Sequence, residues 1–404
     1  MIVAEGAVTN RPIYQSQIIK HIKRKGQIIM KFVLAPDSFK ESMTAKKAAL
    51  AMEKGVKAVF PNAECVIVPM ADGGEGTVES LVSMTNGEII KTEVIGPLGE
   101  KVIAEYGLLG EGQTAVIEMA SASGLELIKP KERNPLLTTT YGTGQLIKHA
   151  LDKGVRRFLI GIGGSATNDG GAGMLQALGV SFKDQAGNEL PFGGGALQQL
   201  HSIDLSGLDE RIKMVHIDVA CDVTNPLIGD NGASAIFGPQ KGATPEMVRV
   251  LDQNLAHFAD VIKKQLGEDI AHLEGAGAAG GLGAGLLAFL NAQLKKGIDL
   301  VIEYTGLEEQ VRGADYVFTG EGSIDGQTLF GKTPYGVAAI AEKYSVPVIA
   351  FAGRIGDGVE SLYDNGFTAI IGILKGVTTL EKALECGEEN LAFAAENVCR
   401  VLKI

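Results

Sequence analysis

The sequence predicts an α/β fold in which both ends of the chain form one parallel-sheet domain and the middle forms a second, inserted domain. Strand-like apolar runs alternate with helical patterns from residue 30 to about residue 92, and again after residue 296. This alternation is typical of parallel βαβ units. Between these parts, three strand-like runs are joined by short glycine-containing turns, which favours antiparallel pairing. At 404 residues the chain is also longer than one hydrophobic core usually supports.

We therefore assign residues 30–92 and 296–404 to a discontinuous α/β domain and residues 93–295 to an inserted α/β domain with a mixed sheet. Residues 1–29 differ in composition, with five lysine or arginine residues against one acid. Met30 precedes the first strand-like run, so we interpret residues 1–29 as a disordered N-terminal extension. A basic tail that docks on a partner subunit is the alternative.

The elements of the discontinuous domain are predicted from apolar periodicity. Strands are expected over residues 32–36, 65–70, 300–304, 315–319, 346–352 and 367–373. Helices are expected over residues 45–60 and 77–85, with Ser42 or Thr44 as the cap of the first, and over 379–402 at the end of the chain.

The inserted domain is predicted in the same way. Its strands are expected over residues 88–95, 101–109, 114–119, 155–162 and 215–220. Its helices are expected over residues 143–153, 174–178 and 283–294. A long amphipathic helix should run to Leu266 from Thr244 and Pro245, which supply a hydroxyl cap and a proline at the first helical position.

Composition excludes several classes of partner. The net charge of −11 and the absence of tryptophan argue against nucleic acid, which is bound by cations and aromatic platforms. No apolar run reaches 18 residues, so no membrane span is expected. The four cysteines show no CxxC spacing and are typical of reduced thiols, which indicates a cytoplasmic protein. The oligomeric state stays open, and a homo-oligomer is compatible with the sequence.

A glycine-rich stretch over residues 160–173 joins a predicted buried strand to a predicted helix. Five glycines lie among residues 163–173, together with polar side chains. Strand, glycine loop and helix start is the arrangement that offers backbone N–H groups to an anion. A tight turn that needs glycine only for positive φ is the alternative. The residues of interest here are Gly163, Gly164, Ser165, Asn168 and Asp169.

Carboxylates follow the ends of several other predicted strands. Ligands of parallel α/β sheets bind beyond the carboxyl ends of the strands, so these side chains are candidates for one site. Carboxylates beside a glycine cradle suit phosphoryl transfer from a magnesium-bound nucleotide. The candidates in chain order are Asp37 with Ser38 and Lys40, Asp72 with Gly73, Gly74 and Glu75, Asp222 with Asn225, Glu321 with Asp325, and Asp357 after Arg354.

Two short motifs match the sequence in an unfavourable context. A Walker A pattern occurs at residues 326–333, but residues 320–325 separate it from its strand, and Leu329 and Phe330 are bulky for a loop around phosphates. We keep only Lys332 as a phosphate contact. A dinucleotide-binding pattern occurs at residues 275–280 without a preceding strand, which disfavours hydride transfer. Its Gly277 and Gly280 are kept as amides available to an anion.

Taken together, these segments resemble the glycerate kinase family of the bacterial type 1. The resemblance spans essentially residues 30–404 and is specific because the segments recur in order. Glu41, Ser323 and Gly326 depart slightly from the family pattern. The segments that carry the resemblance lie at residues 35–40, 69–77, 161–173, 220–226, 237–242, 275–283 and 319–325.

The resemblance implies a Rossmann-like domain with an inserted α/β domain, and an active site in the cleft between them. It also implies phosphorylation of D-glycerate by ATP and Mg²⁺, usually at the 2-hydroxyl, in sugar-acid degradation. Formation of 3-phosphoglycerate is an alternative. A non-catalytic module that binds a sugar acid or a nucleotide is a second alternative, and a dehydrogenase is a third.

We assign roles within this hypothesis by residue chemistry. Asp72 and Asp222 are the candidates for accepting the hydroxyl proton, and Lys40 and Lys332 would neutralise phosphoryl charge. Asp169, Glu321 and Asp325 are the candidate magnesium ligands. Substrate or phosphate contacts are assigned to Asp37, Ser38, Gly73, Gly74, Glu75, Gly163, Gly164, Ser165, Asn168, Asn225, Gly277 and Gly280.

Overall fold

The computed structural model describes residues 29–404, so the predicted extension lies outside the described residues apart from Ile29. The strands in this part of the chain are β1 (Lys31–Leu34), β2 (Glu64–Ile67), β3 (Glu88–Ile95), β4 (Lys101–Leu108), β5 (Thr114–Glu118), β6 (Arg157–Gly161), β7 (Ser181–Lys183), β8 (Ser202–Asp204), β9 (His216–Ala220), β10 (Gln293–Lys295), β11 (Tyr316–Ile324), β12 (Val348–Ile355) and β13 (Phe367–Gly372).

Helices connect these strands and cover both sheets. They are α1 (Ala45–Val59), α2 (Thr77–Thr85), α3 (Ala120–Ser123), α4 (Tyr141–Asp152), α5 (Ala172–Ala177), α6 (Ala233–Phe237), α7 (Pro245–Leu266), α8 (Ala278–Leu290), α9 (Gly297–Thr305), α10 (Leu307–Val311), α11 (Thr333–Lys343), α12 (Leu380–Glu385) and α13 (Gly387–Leu402). None of the helices described is long and apolar enough to cross a membrane.

The first sheet is formed from both ends of the chain and is entirely parallel. Its strand order is β13-β12-β11-β1-β2. Alternate residues of β1 face opposite layers, as a strand period of two requires. Phe32 and Leu34 pack with α1 and α13, whereas Val33 packs in the core that includes α2, α9 and α11. The predicted α/β class is therefore confirmed.

The second sheet has the order β10-β9-β6-β5-β4-β3 and mixes strand directions. β3 and β4 are antiparallel, as are β4 and β5, and the remaining neighbours are parallel. A separate antiparallel pair is formed by β7 and β8. The whole of β3 belongs to this sheet, so the two sheets divide before Glu88 and the boundary expected near residue 92 falls inside a strand. The division of the chain into two domains stays a prediction.

Helix capping follows the sequence signals closely. The Thr44 hydroxyl accepts a hydrogen bond from the Lys47 N–H at 3.4 Å, and the Thr244 hydroxyl accepts one from the Met247 N–H at 3.3 Å. These side chains satisfy backbone donors that the first helical turn leaves free. At the other end of α7, Gly267 has the left-handed conformation with φ of 82° that commonly ends a helix.

The prediction of a strand over residues 300–304 is wrong, because these residues form part of α9. The apolar run there is buried at helical spacing, with Ile298, Leu300 and Val301 facing the core and Thr305 one turn later. A short apolar run does not distinguish a strand from a buried helix, and tertiary packing decides between them.

Three other boundaries differ from the sequence prediction. The helix expected to run to residue 294 ends at Leu290, and the unpredicted strand β10 follows it. β11 continues to Ile324 because residues 320–324 pair with β12, with Ser323 beside Arg354. The C-terminal helix is interrupted at Cys386, which separates α12 from α13.

The loops at the carboxyl ends of the two sheets meet backbone to backbone. A Cβ atom added to Gly161, at the end of β6, would lie 2.5 Å from the carbonyl oxygen of Gly73. One added to Gly297 would lie 1.8 Å from the carbonyl oxygen of Asp72. Both distances are shorter than a side chain tolerates, so glycine is required for this approach.

We therefore expect Gly161→Ala to lower the free energy of unfolding by about 1–3 kcal/mol, since the added methyl group overpacks the contact with Gly73. The matched control is Gly163→Ala, whose added methyl group has its nearest neighbour, Gly74 Cα, at 3.9 Å. The control should stay within about 0.5 kcal/mol of the parent. Urea unfolding of both variants measures the difference, and equal stabilities would contradict the described contact.

Candidate active site

The carboxyl ends of β1 and β11 bring two carboxylates together. Asp37 follows β1, and its N–H donates to the carbonyl oxygen of Gly320, one residue before Glu321. The Asp37 carboxylate accepts from the Ser38 N–H at 2.6 Å and from the Thr333 hydroxyl. Parallel neighbours end at the same edge of a sheet, so these residues face the region where ligands of such folds bind.

Burial dominates the protonation of this pair. The pKa of the Glu321 carboxyl is raised to about 7, mainly by burial and also by repulsion from Asp37 and Asp72, while Lys332 opposes the shift. Burial likewise raises the pKa of Asp37 to about 6, while the hydrogen bond from Thr333 lowers it and repulsion from Asp72 raises it. The folded protein therefore disfavours ionisation of both carboxyl groups, and Lys332 offsets this only in part for Glu321.

Lys332 is the cation in contact with this cluster. Its Nζ lies 3.4 Å from Glu321 Oε1 and 3.7 Å from Asp325 Oδ1, and it donates to the Ser323 carbonyl oxygen at 3.3 Å. Asp325 also caps a 3₁₀ turn over Gly326–Leu329 by accepting from the Gln327 N–H. The Walker A pattern therefore forms a capped turn, not a loop of free amides.

Asp72 and Asp222 lie across from this pair, at the start of α9. Asp222 Oδ1 accepts from the Gly297 N–H at 3.0 Å, and Asp72 Oδ1 accepts from the Gly74 N–H at 3.0 Å. The pKa of Asp222 is raised, first by desolvation and then by repulsion from Asp72 and Asp299. Four of the predicted carboxylates, Asp37, Asp72, Asp222 and Glu321, thus belong to one electrostatic cluster.

The glycine loop after β6 differs from its prediction. Only Gly163 and Gly164 of residues 161–170 are exposed, whereas Ser165 and Asn168 are buried. Asn168 Nδ2 donates to the Ser234 hydroxyl at 3.0 Å, away from solvent. The surface available to an anion is therefore the backbone of two glycines and not the polar side chains behind them.

Asp169, which we predicted as a metal ligand, lies inside the protein with its carboxylate hydrogen-bonded, and its role as a ligand stays a prediction. It is 1% exposed, and it accepts hydrogen bonds from the Thr140 N–H and hydroxyl and from the backbone of Gly171 and Gly173. Its distances to these donors are 2.8–3.3 Å. The carboxylate thus stabilises the starts of α4 and α5.

Asn225, after β9, and Gly277 and Gly280, at the start of α8, form contacts beside the glycine loop. The Gly277 N–H already donates to the Asn225 carbonyl oxygen at 3.0 Å, and the Asn225 side chain donates to the Asn231 carbonyl oxygen at 2.8 Å. A Cβ added to Gly280 would lie 1.9 Å from the Thr167 carbonyl oxygen. This geometry favours a packing role for these residues, and their contact with phosphate stays a prediction.

A cleft of about 520 Å³ lies beside Asp37, a volume within the usual range of small-molecule sites. Three further predicted site residues line it, namely Ser38, Lys40 and Glu75, and its acids outnumber its lysines. An anionic ligand would therefore need a cation to enter it. The lining includes Ser38, Lys40, Glu41, Lys47, Glu75, Glu79 and Glu126.

Sequence reasoning missed several residues that contact this region. Glu118, at the end of β5, accepts from the Val78 N–H at 2.9 Å and so caps α2, whose own cap position is Gly76. Lys296 and Asp299 follow β10 and act on the charge of Asp222. The strand-end rule that found the other carboxylates would have found Glu118. It could not find Lys296, because β10 was not predicted.

Clustered carboxylates with a lysine, beside an exposed pair of glycines at the strand ends, define a site of the kind that phosphotransferases use. A model of the glycerate kinase family matches residues 32–403. The chain therefore belongs to the glycerate kinase family and is an enzyme, a phosphotransferase. Membership in a kinase family implies the use of ATP.

Individual relatives agree with this assignment. The chain is 56% identical to glycerate kinase of Bacillus subtilis, over 93% of this chain and 98% of the relative. It is 54% identical to glycerate 2-kinase of Escherichia coli, over the same shares of the two chains. A crystal structure provisionally described as glycerate kinase 2 of Salmonella typhimurium superposes with a TM-score of 0.86 at 53% identity. It covers 93% of this chain and 98% of that one.

The raised pKa of Glu321 predicts a stability effect whose sign depends on pH. Below the ordinary glutamate pKa of 4.5 the carboxyl is protonated in both the folded and the unfolded state. Above about 7 it is ionised in both, and the folded state bears the unfavourable charge. Ionisation of Glu321 therefore lowers stability progressively between these pH values, by on the order of 3 kcal/mol.

We expect Glu321→Gln to remove this loss, so that the ligand-free variant is more stable than the parent at pH 8 but similar to it at pH 4.5. Thermal or urea unfolding at both pH values measures the difference. Glu111→Gln, at an exposed turn residue, is the control and should match the parent at both. A variant less stable than the parent at pH 8 would show that the contacts of Glu321 with Lys332 and Thr328 outweigh its burial.

Proposed function

We propose that this enzyme transfers the γ-phosphoryl group of ATP to the 2-hydroxyl of D-glycerate, with the reaction taking place between the ends of the two sheets. The observation that carries the proposal is the charge cluster formed by Asp37, Asp72, Asp222 and Glu321 beside Lys332. Phosphoryl transfer depends mainly on positioning and on electrostatic stabilisation, and this cluster can supply both. The names of the relatives support glycerate as the acceptor.

Within this proposal Asp222 accepts the hydroxyl proton. Its raised pKa suits a general base better than a strongly solvated carboxylate would, and the bond from Gly297 orients it. Asp72 is the second candidate for this role. Lys332 and Lys40 neutralise phosphoryl charge, and the backbone of Gly163 and Gly164 holds either a phosphate or the glycerate carboxylate.

The remaining predicted contacts complete the site. Ser38, Gly73, Gly74 and Glu75 lie in the loops after β1 and β2, next to the charge cluster. We assign them to the orientation of substrate or phosphate.

The free cysteines of the described chain support a reaction in the cytoplasm.

Mg²⁺ suits the residues at this site. No group of three or more histidine, cysteine or acidic side chains within residues 29–404 is arranged as a complete metal site. Mg²⁺, however, usually takes only one or two carboxylates and obtains its other ligands from phosphates and water. Glu321 and Asp37, with their uncompensated charge, would hold it, with Asp325 nearby. Bound there, the ion would neutralise charge on the phosphate oxygens.

The proposal predicts release of ADP when the enzyme is mixed with Mg-ATP and D-glycerate, and ³¹P NMR should show 2-phosphoglycerate as the product. Detection of 3-phosphoglycerate would establish the alternative regiochemistry. Absence of ADP with glycerate would favour a non-catalytic binding module, and NADH formation after addition of NAD would indicate a dehydrogenase. Omission of Mg²⁺ should abolish turnover.

Asp222→Asn should lower kcat by about 10²–10⁴-fold, because it removes the proton acceptor and keeps the side-chain size. Asp72→Asn tests the second candidate in the same assay. Asp364→Asn, an exposed aspartate near α11, is the matched control and should keep the parental kcat. Parental turnover in both the Asp222 and Asp72 variants, with folding verified by circular dichroism, would refute the assignment.

A further inference from the structure

One lysine of the inserted part of the chain is buried where lysine is seldom found. Lys241 is 1% exposed and ends a 3₁₀ turn over Pro239–Lys241. The next residue, Gly242, has φ of 91°, and a Cβ atom there would lie 2.6 Å from the Arg133 carbonyl oxygen. The backbone at this turn is therefore tightly constrained, and lysine is almost never fully buried without a partner.

The partners of Lys241 belong to the glycine loop. Its ammonium donates to the Ser165 hydroxyl at 2.8 Å and to the Thr167 carbonyl oxygen at 2.7 Å. Ser165 directly follows the two exposed glycines, Gly163 and Gly164. Lys241 thus holds the loop from its buried side while the opposite side faces solvent.

The charge of Lys241 is unfavourable for stability at this position. Both hydrogen-bond acceptors are neutral, and burial lowers the pKa of the ammonium to about 7, while Asp169 partly opposes this shift. The loop itself leaves Thr167 Oγ1 and Asn168 Oδ1 buried without a hydrogen-bond partner among the described residues. Burial of an ammonium among neutral acceptors costs free energy, so stability alone does not account for this lysine.

We infer that Lys241 is a positioning residue, which fixes Gly163 and Gly164 so that their backbone faces the anionic ligand, and which adds positive charge beneath that ligand. This inference rests on the proposed function, because it assumes that the exposed glycines contact a phosphate or the glycerate carboxylate. It concerns a side chain that does not touch the ligand and acts through Ser165 and Thr167.

The test compares Lys241→Met and Lys241→Arg in the full-length enzyme. Lys241→Met keeps most of the length of the side chain and removes its charge and its hydrogen-bond donors. We expect it to lower kcat/KM by about tenfold or more, mainly through a higher KM for one of the two substrates, because displaced contacts weaken binding strongly. Its melting temperature should stay close to that of the parent, because relief of the buried charge offsets the loss of the two hydrogen bonds. Lys241→Arg should recover part of the loss, and Lys213→Met, at an exposed lysine, is the control.

A solely structural lysine would give the opposite pattern, with a lower melting temperature and unchanged KM in the folded fraction. That result, or a kcat/KM of Lys241→Met within twofold of the parent, overturns the inference. If Lys241→Met does not fold, Ser165→Ala tests the inference instead, because it removes one hydrogen-bond acceptor of Lys241 and keeps the lysine. It should raise the same KM by about threefold, and an unchanged KM overturns the inference. Absence of activity in the parent would refute the proposed function instead.

Discussion

The contact between Gly73, Gly161 and Gly297 determines where the functional groups of this enzyme stand. These residues bring three backbone segments closer than any side chain would permit. Asp72 directly precedes Gly73, and the Asp222 carboxylate accepts a hydrogen bond from the Gly297 N–H. The backbone positions of Asp72 and Asp222 therefore depend on this close packing, which would hold the two proposed catalytic groups rigidly.

The charge cluster opposes the stability that this packing provides. Burial and mutual repulsion raise the pKa of Asp37 and of Glu321, and Lys332 offsets only part of the shift of Glu321. Active sites commonly retain such unfavourable groups because a ligand or a metal ion relieves them on binding. The apolar cores on both faces of the first sheet, which include Phe318 and Val317, supply the stability that tolerates this arrangement.

Local sequence signals predicted the parts of the fold that depend on local physics. The cap, the first-turn proline and the terminal glycine of α7 were readable because they satisfy the helix's own backbone. The helix α9 could not be predicted in this way, because its apolar residues suit a strand equally well. Only their packing against α2 and α11 distinguishes a helix from a strand here. The strand-end rule identified Asp37, Asp72, Asp222 and Glu321. It could not show that Asp169 points inward, because side-chain direction in an irregular loop has no period.

The hydrogen bond between Glu118 and the start of α2 attaches this helix to a sheet other than the one that it follows in the sequence. By sequence, α2 follows the first sheet, yet its N-terminus is capped by the second sheet, and Val78 and Leu81 share a core with Val116 and Leu159. If the two sheets shift relative to one another, α2 is expected to travel with the second. Gly73 packs against Gly161 and Gly297 and would move with them, so the flexing point on this side would lie just before Gly73, at Asp72. Opening and closing would thus reorient Asp72, the second candidate for the proton acceptor, directly.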